Sequence, residues 1–156
     1  MSQEKWASLA LESFDSVVAA LPGFRSRDGQ RRMAEQVART FSQAPLGKTE
    51  EGAPEPKKSI AVVQAGTGVG KSLAYTIPAI TLALARGTRV LISTATVALQ
   101  EQLVNKDLPA LAQQLPTPFK FALAKGRGRF VCKLKLERLS STGEHSDEAD
   151  DLFAEE

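Results

Sequence analysis

The chain has 156 residues, 42% of them apolar, a formal net charge of +2 and one cysteine. That suffices to bury one core but hardly two, and no apolar run approaches the roughly 18 residues needed to span a membrane. Cys132 alone cannot close an internal disulfide, and the charged, discontinuous N-terminus is no secretory signal, so a cytoplasmic protein is expected.

The small net charge hides an asymmetry. Residues 140–156 hold seven acids (Glu144, Asp147, Glu148, Asp150, Asp151, Glu155 and Glu156) and no Lys or Arg. Residues 1–139 therefore carry all 20 basic side chains against 11 acids. A basic body with an acidic tail suits a polyanionic partner; ordinary solubilising charge is the alternative.

In chain order, Trp6, Leu9, Ala10, Phe14, Val17, Val18 and Leu21 recur near helical spacing and predict an amphipathic helix over about 4–21, ended by Pro22-Gly23. A second helix is expected over about 30–42, with Met33, Val37 and Phe41 on one face and Asp28 as N-cap. Residues 44–58 hold three prolines, two glycines and six charges, the composition of a flexible surface loop inserted between elements. Ile60-Ala61-Val62-Val63 reads as a first strand. A helix over 71–86 follows, with a kink expected ahead of Pro78 and Gly87 as its stop. Residues 88–94 read as a buried second strand, so a right-handed βαβ crossover with a parallel sheet is implied. A helix over about 98–113, broken near Asp107-Leu108-Pro109, leads to a third strand over 119–124. Residues 129–139 are basic and compatible with a helix, and residues 140–156 read as a disordered tail. No internal repeat is visible.

Between the first strand and its helix stands AGTGVGKS, Ala65 to Ser72. It fits G-x-x-x-x-G-K-[ST] except that Ala65 replaces the first glycine. A loop that converges backbone N–H groups on phosphate oxygens must be free of side chains. Gly66, Gly68 and Gly70 provide that, with Thr67 and Val69 between them. The following helix start adds unpaired N–H donors and partial positive charge. Lys71 is expected on the β- and γ-phosphates and the Ser72 hydroxyl on Mg²⁺. A plain glycine turn is the alternative.

Four stretches then occur in an order that resembles the N-terminal part of the DinG/XPD group of superfamily 2 DNA helicases, the iron–sulfur helicases. They are FRSRDGQRRM (24–33), AGTGVGKS (65–72), STATVALQEQL (93–103) with KDLP (106–109), and GRGRFVC (126–132). The resemblance implies an α/β fold, a P-loop RecA-like parallel sheet with flanking helices. It divides the chain into adenine-reading helices (1–43), a flexible loop (44–58), an ATP-binding core (59–128), the start of an iron–sulfur region (129–139) and the acidic tail (140–156). It implies that Arg27 and Gln30 read adenine, an amide being able to donate and accept on the base edge; an exposed first-turn Gln30 is the alternative. Ser93, Thr94, Thr96 and Gln100 would contact single-stranded DNA, although helix capping by Ser93, Thr94 or Thr96 is also possible. Lys125, Arg127 and Arg129 would continue a positive track for the strand, with Lys133, Lys135 and Arg138 beyond. Cys132 maps onto the first of four ligands to a four-iron, four-sulfur cluster; alone, a cysteine more often serves as a small buried apolar residue.

By resemblance the activity is ATP hydrolysis coupled to translocation on single-stranded DNA, in DNA repair or replication. The acidic motor motif expected for such enzymes is absent: the only acid pairs are Glu50-Glu51, Asp147-Glu148, Asp150-Asp151 and Glu155-Glu156. Three cluster cysteines and a second motor domain are also missing, so the 156 residues read as an incomplete first motor domain. Weak binding of ATP, Mg²⁺ and single-stranded DNA without unwinding is expected, with no cluster, no membrane partner and an exposed apolar sheet edge. A different P-loop NTPase, such as a nucleotide kinase, and a non-catalytic nucleotide- or nucleic-acid-binding fragment are the rival readings.

Overall fold

A computed structural model describes residues 2–21, 23, 27–44 and 58–141. They form two compact units, Met1–Ala122 and Leu123–Glu156. The first is a helical assembly: α1 (Gln3–Ala20), α2 (Asp28–Gln43), α3 (Lys71–Ala85), α4 (Val97–Gln102), a π-helical turn (Leu103–Asp107) and α5 (Leu108–Gln114). The second holds a 3₁₀ turn (Arg127–Arg129) and α6 (Lys133–Ser141). No helix among the described residues is long and apolar enough to cross a membrane.

α1 forms where the periodicity predicts it. Ser2 caps it, its hydroxyl accepting from the Lys5 N–H at 3.4 Å, and Ala10, Phe14, Val17 and Val18 face inward. α3 is buried almost all round, from Ala74 through Leu82, as a helix with little polar surface must be. It lies against both α1 and α2, which also pack on each other. Phe14, Val17, Val18, Ala34, Ala74 and Ile77 centre the core, and Leu108, Leu111 and Leu115 extend it. α3 runs unbroken through Pro78, which is fully buried.

The C-terminus of α3 is closed by a paired-bond cap. Gly87, at φ 63°, donates to the Leu84 carbonyl at 3.2 Å, and the Thr88 N–H returns to Ala83 at 2.8 Å. This is the Schellman arrangement that the glycine foretells. Arg86 then reaches back, donating to the carbonyls of Phe41 (2.8 Å) and Ala44 (2.9 Å) at the end of α2. Its guanidinium lies 6.0 Å from the centroid of Trp6, so one side chain ties three helices.

The structure corrects several expectations. Asp28 is the first residue inside α2, not its cap; extended Arg27 holds the cap position without a side-chain hydrogen bond. Asp28 still meets the positive end of the helix dipole. The buried residues of α2 are Gln30, Ala34, Val37, Ala38, Thr40 and Ser42, whereas Phe41 is exposed and Met33 only partly covered. Small alanines win because they let the backbones of α1 and α3 approach closely. The helix expected over 98–113 is interrupted four residues early, by the π turn. There Leu108 donates to Leu103, five residues back, and the widened turn accommodates Pro109, whose ring would collide with a carbonyl in a regular α-turn.

The largest correction concerns the sheet. Residues 60–63, 88–94 and 119–124 have no regular secondary structure, and among the described residues no strand is paired, so neither the parallel sheet nor the βαβ crossover is formed there. Ile60 (78% exposed), Val62 (94%) and Leu91 (89%) face solvent, while Ala61 and Ile92 between them are partly covered. A parallel ladder is stable when neighbours flank each strand and both faces are covered, and here several of the apolar side chains stand open to solvent. The loop expected over 44–58 lies outside the described residues except for its ends, and so does the tail beyond residue 141.

Candidate functional site

The glycine-rich loop leads from the 58–65 segment into the start of α3. Gly70 occupies the N-cap position in left-handed geometry, φ 85° and ψ 36°, and Gly68 has φ 78°. These two positions require glycine, since left-handed backbone strains an L side chain. Gly66 has ordinary φ, and a Cβ there or at Gly68 would meet nothing within 4 Å. The open space is what a ligand needs. The first hydrogen bond of α3 runs from the Ala74 N–H to the Gly70 carbonyl, at 3.3 Å. The N–H groups of Lys71, Ser72 and Leu73 precede the ladder and stand available at the positive end of the helix.

Lys71 rests on the loop itself. Its Nζ donates to the Gly66 carbonyl at 2.7 Å and to that of Ala65 at 3.2 Å. Ser72, in the first turn, is partly buried; its carbonyl accepts from the Thr76 hydroxyl. Thr67 is exposed and Val69 partly covered.

Arg27 and Gln30 come from the start of α2 and meet the same loop. An Arg27 Nη1 hydrogen donates to the Gly68 carbonyl, and Gln30 Nε2 to that of Gly70 at 2.9 Å. Gln30 is fully buried, and its Oε1 has no hydrogen-bond partner. One residue escaped the sequence reading. Tyr75 hydrogen-bonds the Ser72 side chain; burial pushes its phenol pKa above 10.0, the Ser72 bond pulls it down, and Asp107 of the π turn pushes it up. The signal was available, since Tyr75 follows Ser72 by three residues and shares its helical face.

The other sites are less assembled. Thr96 is the N-cap of α4: its hydroxyl accepts from the Leu99 N–H at 3.3 Å, and its carbonyl accepts from the Thr94 hydroxyl at 3.2 Å. Ser93 is exposed and Gln100 partly covered. In the second unit, Lys125, Arg129 and Cys132 are exposed, and the Arg129 N–H closes a turn on the Gly126 carbonyl at 3.0 Å. The placement of the Arg127 side chain lies outside the described residues. No group of three or more His, Cys, Asp or Glu is positioned to hold a metal among the described residues. A four-thiolate cluster does not fit a chain with one cysteine.

Comparison with known proteins matches residues 48–126 to the DEAD/DEAH box helicase family, whose domain has a RecA-like α/β fold. The chain is 50% identical over 105 residues to the ATP-dependent DNA helicase DinG of Photobacterium profundum, covering 67% of this chain and 15% of that protein. It is 47% identical over 135 residues to the ATP-dependent helicase DinG of Mycobacterium tuberculosis, 84% of this chain and 18% of the relative. With the ATP-dependent DNA helicase DinG of Escherichia coli K12 the identity is 43% over 122 residues, 78% of this chain and 15% of the relative. The chain thus spans less than a fifth of the length of these relatives, and the matched region contains the whole glycine-rich loop. This chain belongs to the DEAD/DEAH box helicase family.

Proposed function

We propose that this chain is the nucleotide-holding N-terminal part of an ATP-dependent DNA helicase that couples ATP hydrolysis to movement on single-stranded DNA. The observation that carries the reading is the loop before α3, with left-handed Gly68 and Gly70 and the Lys71 ammonium 2.7 Å from the Gly66 carbonyl. These residues fit a triphosphate and Mg²⁺. The N–H groups of the loop and of the first turn of α3 would hold the phosphate oxygens. Lys71 would exchange its carbonyl partners for the β- and γ-phosphates, and the Ser72 hydroxyl would ligate the metal. Bound Mg²⁺ would supply charge neutralisation.

Family resemblance assigns adenine to Arg27 and Gln30. It assigns single-stranded DNA to Ser93, Thr94, Thr96 and Gln100, and to Lys125, Arg127 and Arg129 as phosphate partners. The relatives' names specify ATP, and two of the three specify DNA, which supports these ligand classes; the residue assignments rest on the resemblance. We read residues 60–63, 88–94 and 119–124 as strand segments of an incomplete RecA-like sheet whose ladder would form once neighbouring strands flank them. Cys132 would ligate an iron–sulfur cluster only with three thiolates from outside these 156 residues. Rapid turnover requires a positioned water and stabilisation of developing charge, and no Asp-Glu-Ala-His motif stands in this sequence. Binding without unwinding is therefore the expected behaviour of this chain alone.

The test is calorimetric titration with MgATP, together with ATPase assays with and without single-stranded DNA, on the wild type and Lys71→Ala. Binding that depends on Lys71, with no turnover, is expected. Equal binding by the two proteins, or none, would overturn the site. DNA-stimulated hydrolysis lost in Lys71→Ala would show a complete catalytic centre and refute the separation of binding from turnover.

A further inference from the structure

The start of α2 is docked on the phosphate loop along a short seam. Arg27 donates to the Gly68 carbonyl, and Gln30 donates to the Gly70 carbonyl at 2.9 Å. Between them, a Cβ on Gly29 would stand 3.8 Å from a methyl of Val69. Two side chains at one helix start thus hold two carbonyls of the loop, and Gly29 leaves room for Val69 between them. The two accepting carbonyls belong to Gly68 and Gly70, the loop residues whose left-handed φ gives it its shape.

The geometry of the peptide unit gives this seam a consequence. In a trans peptide the carbonyl of one residue and the N–H of the next point in opposite directions. A donor that holds the Gly68 carbonyl toward α2 turns the Val69 N–H away from α2. Gln30, together with the Ala74 N–H of α3, holds the Gly70 carbonyl and with it the direction of the Lys71 N–H. Both N–H groups are then oriented before any ligand arrives, which lowers the ordering cost of binding. Gln30 is fully buried, and its amide is committed to the loop.

We infer that Arg27 and Gln30 are positioning residues for the phosphate loop and set its affinity for a triphosphate chain whether or not a base is attached. The inference rests on the phosphate-site reading above and extends the two residues beyond a role at adenine.

The experiment measures binding of MgATP and of inorganic tripolyphosphate with Mg²⁺ to the wild type, Arg27→Ala, Arg27→Lys, Gln30→Ala and Lys71→Ala. Arg27→Ala and Gln30→Ala are each expected to weaken tripolyphosphate by about tenfold, the effect of one lost hydrogen bond to the loop, and MgATP by at least as much, since ATP also loses any contact to the base. Arg27→Lys should recover part of the loss, because an ammonium still offers a donor to the Gly68 carbonyl. Arg27 is exposed, so Arg27→Ala should melt at the wild-type temperature, which a merely structural role would not allow. Should ATP weaken while tripolyphosphate binds as in the wild type, the two residues serve the base alone and the inference fails. Unchanged binding of both ligands in Lys71→Ala would remove the phosphate site itself and the inference with it. Lys71-dependent binding with unaltered tripolyphosphate affinity in Arg27→Ala would overturn the seam assignment only.

Discussion

The Lys71 ammonium donates to the Gly66 carbonyl at 2.7 Å, so the side chain expected on phosphate rests on the backbone of its own turn. A phosphate offers a full negative charge where the carbonyls of Gly66 and Ala65 offer dipoles. The exchange is therefore favourable, because hydrogen bonds between charged partners are the stronger class. Lys71→Ala should weaken nucleotide binding by at least about tenfold, the effect of losing a charge-assisted bond. Chemical denaturation should find stability within about 0.5 kcal/mol of the wild type, as for a substitution outside the core.

Two of the loop glycines, Gly66 and Gly68, should separate in a stability assay. Gly68→Ala adds a methyl into open space but forces an L side chain to φ 78°, a cost of about 1–2 kcal/mol. Gly66→Ala meets no obstruction and no left-handed backbone, so its stability should match the wild type. Both should bind nucleotide less well, because each places a methyl where phosphate must approach. Paired urea unfolding and ligand titration would distinguish strain from obstruction.

Phe14 is fully buried in the cluster shared by α1, α2 and α3. Phe14→Ala should destabilise by about 3–5 kcal/mol through lost burial and a residual cavity. A thermal melt followed by far-ultraviolet circular dichroism checks this; a shift of only a few degrees would contradict the packing described.

Arg86 joins the end of α2 to Trp6 of α1. Arg86→Ala should cost about 1–2 kcal/mol, from two carbonyls left without their donor. A double-mutant cycle with Trp6→Leu should yield a coupling of about 0.5–1 kcal/mol, the size of a partly exposed cation–π contact. Zero coupling would mean that Arg86 acts through the carbonyls alone.

The alkaline limb of stability should carry a contribution from Tyr75. Its folded pKa is raised above 10.0, chiefly by burial. Below pH 10 the phenol is neutral in both states and its contribution is fully present. As pH rises past 10 the unfolded phenol ionises first, so stability falls until the folded phenol ionises as well. Tyr75→Phe should flatten this fall, measured by urea unfolding between pH 9 and 11.

Much of the helical frame was legible from residue spacing. The period of Ala10, Phe14, Val17 and Val18 defines the inward face of α1, because side chains that recur every three to four residues share one side of a helix. Gly87 announced the end of α3, since few residues adopt the left-handed conformation its cap needs. The loop from Ala65 to Ser72 was also readable, its chemistry residing in missing side chains and in one lysine. Local chemistry of this kind is carried by adjacent residues.

Other features arise from contacts between residues distant in sequence, and only the tertiary structure decided them. The pairing of Arg27 with Gly68 and of Gln30 with Gly70 spans about forty residues, and no local pattern encodes which carbonyl each donor meets. The same holds for the choice of Ala34 and Ala38 over Phe41 as the buried face of α2, which depends on how closely α1 and α3 approach. The apolar runs at 60–63 and 88–94 carry the strand preference of β-branched side chains, but the structure forms no strand there. Whether they pair is decided by neighbours and by cover on both faces, and the open sides of Val62 and Leu91 leave these segments unpaired. By itself the sequence determined most of the helical frame and the glycine and lysine content of the loop; the tertiary packing decided which groups hold that loop in shape.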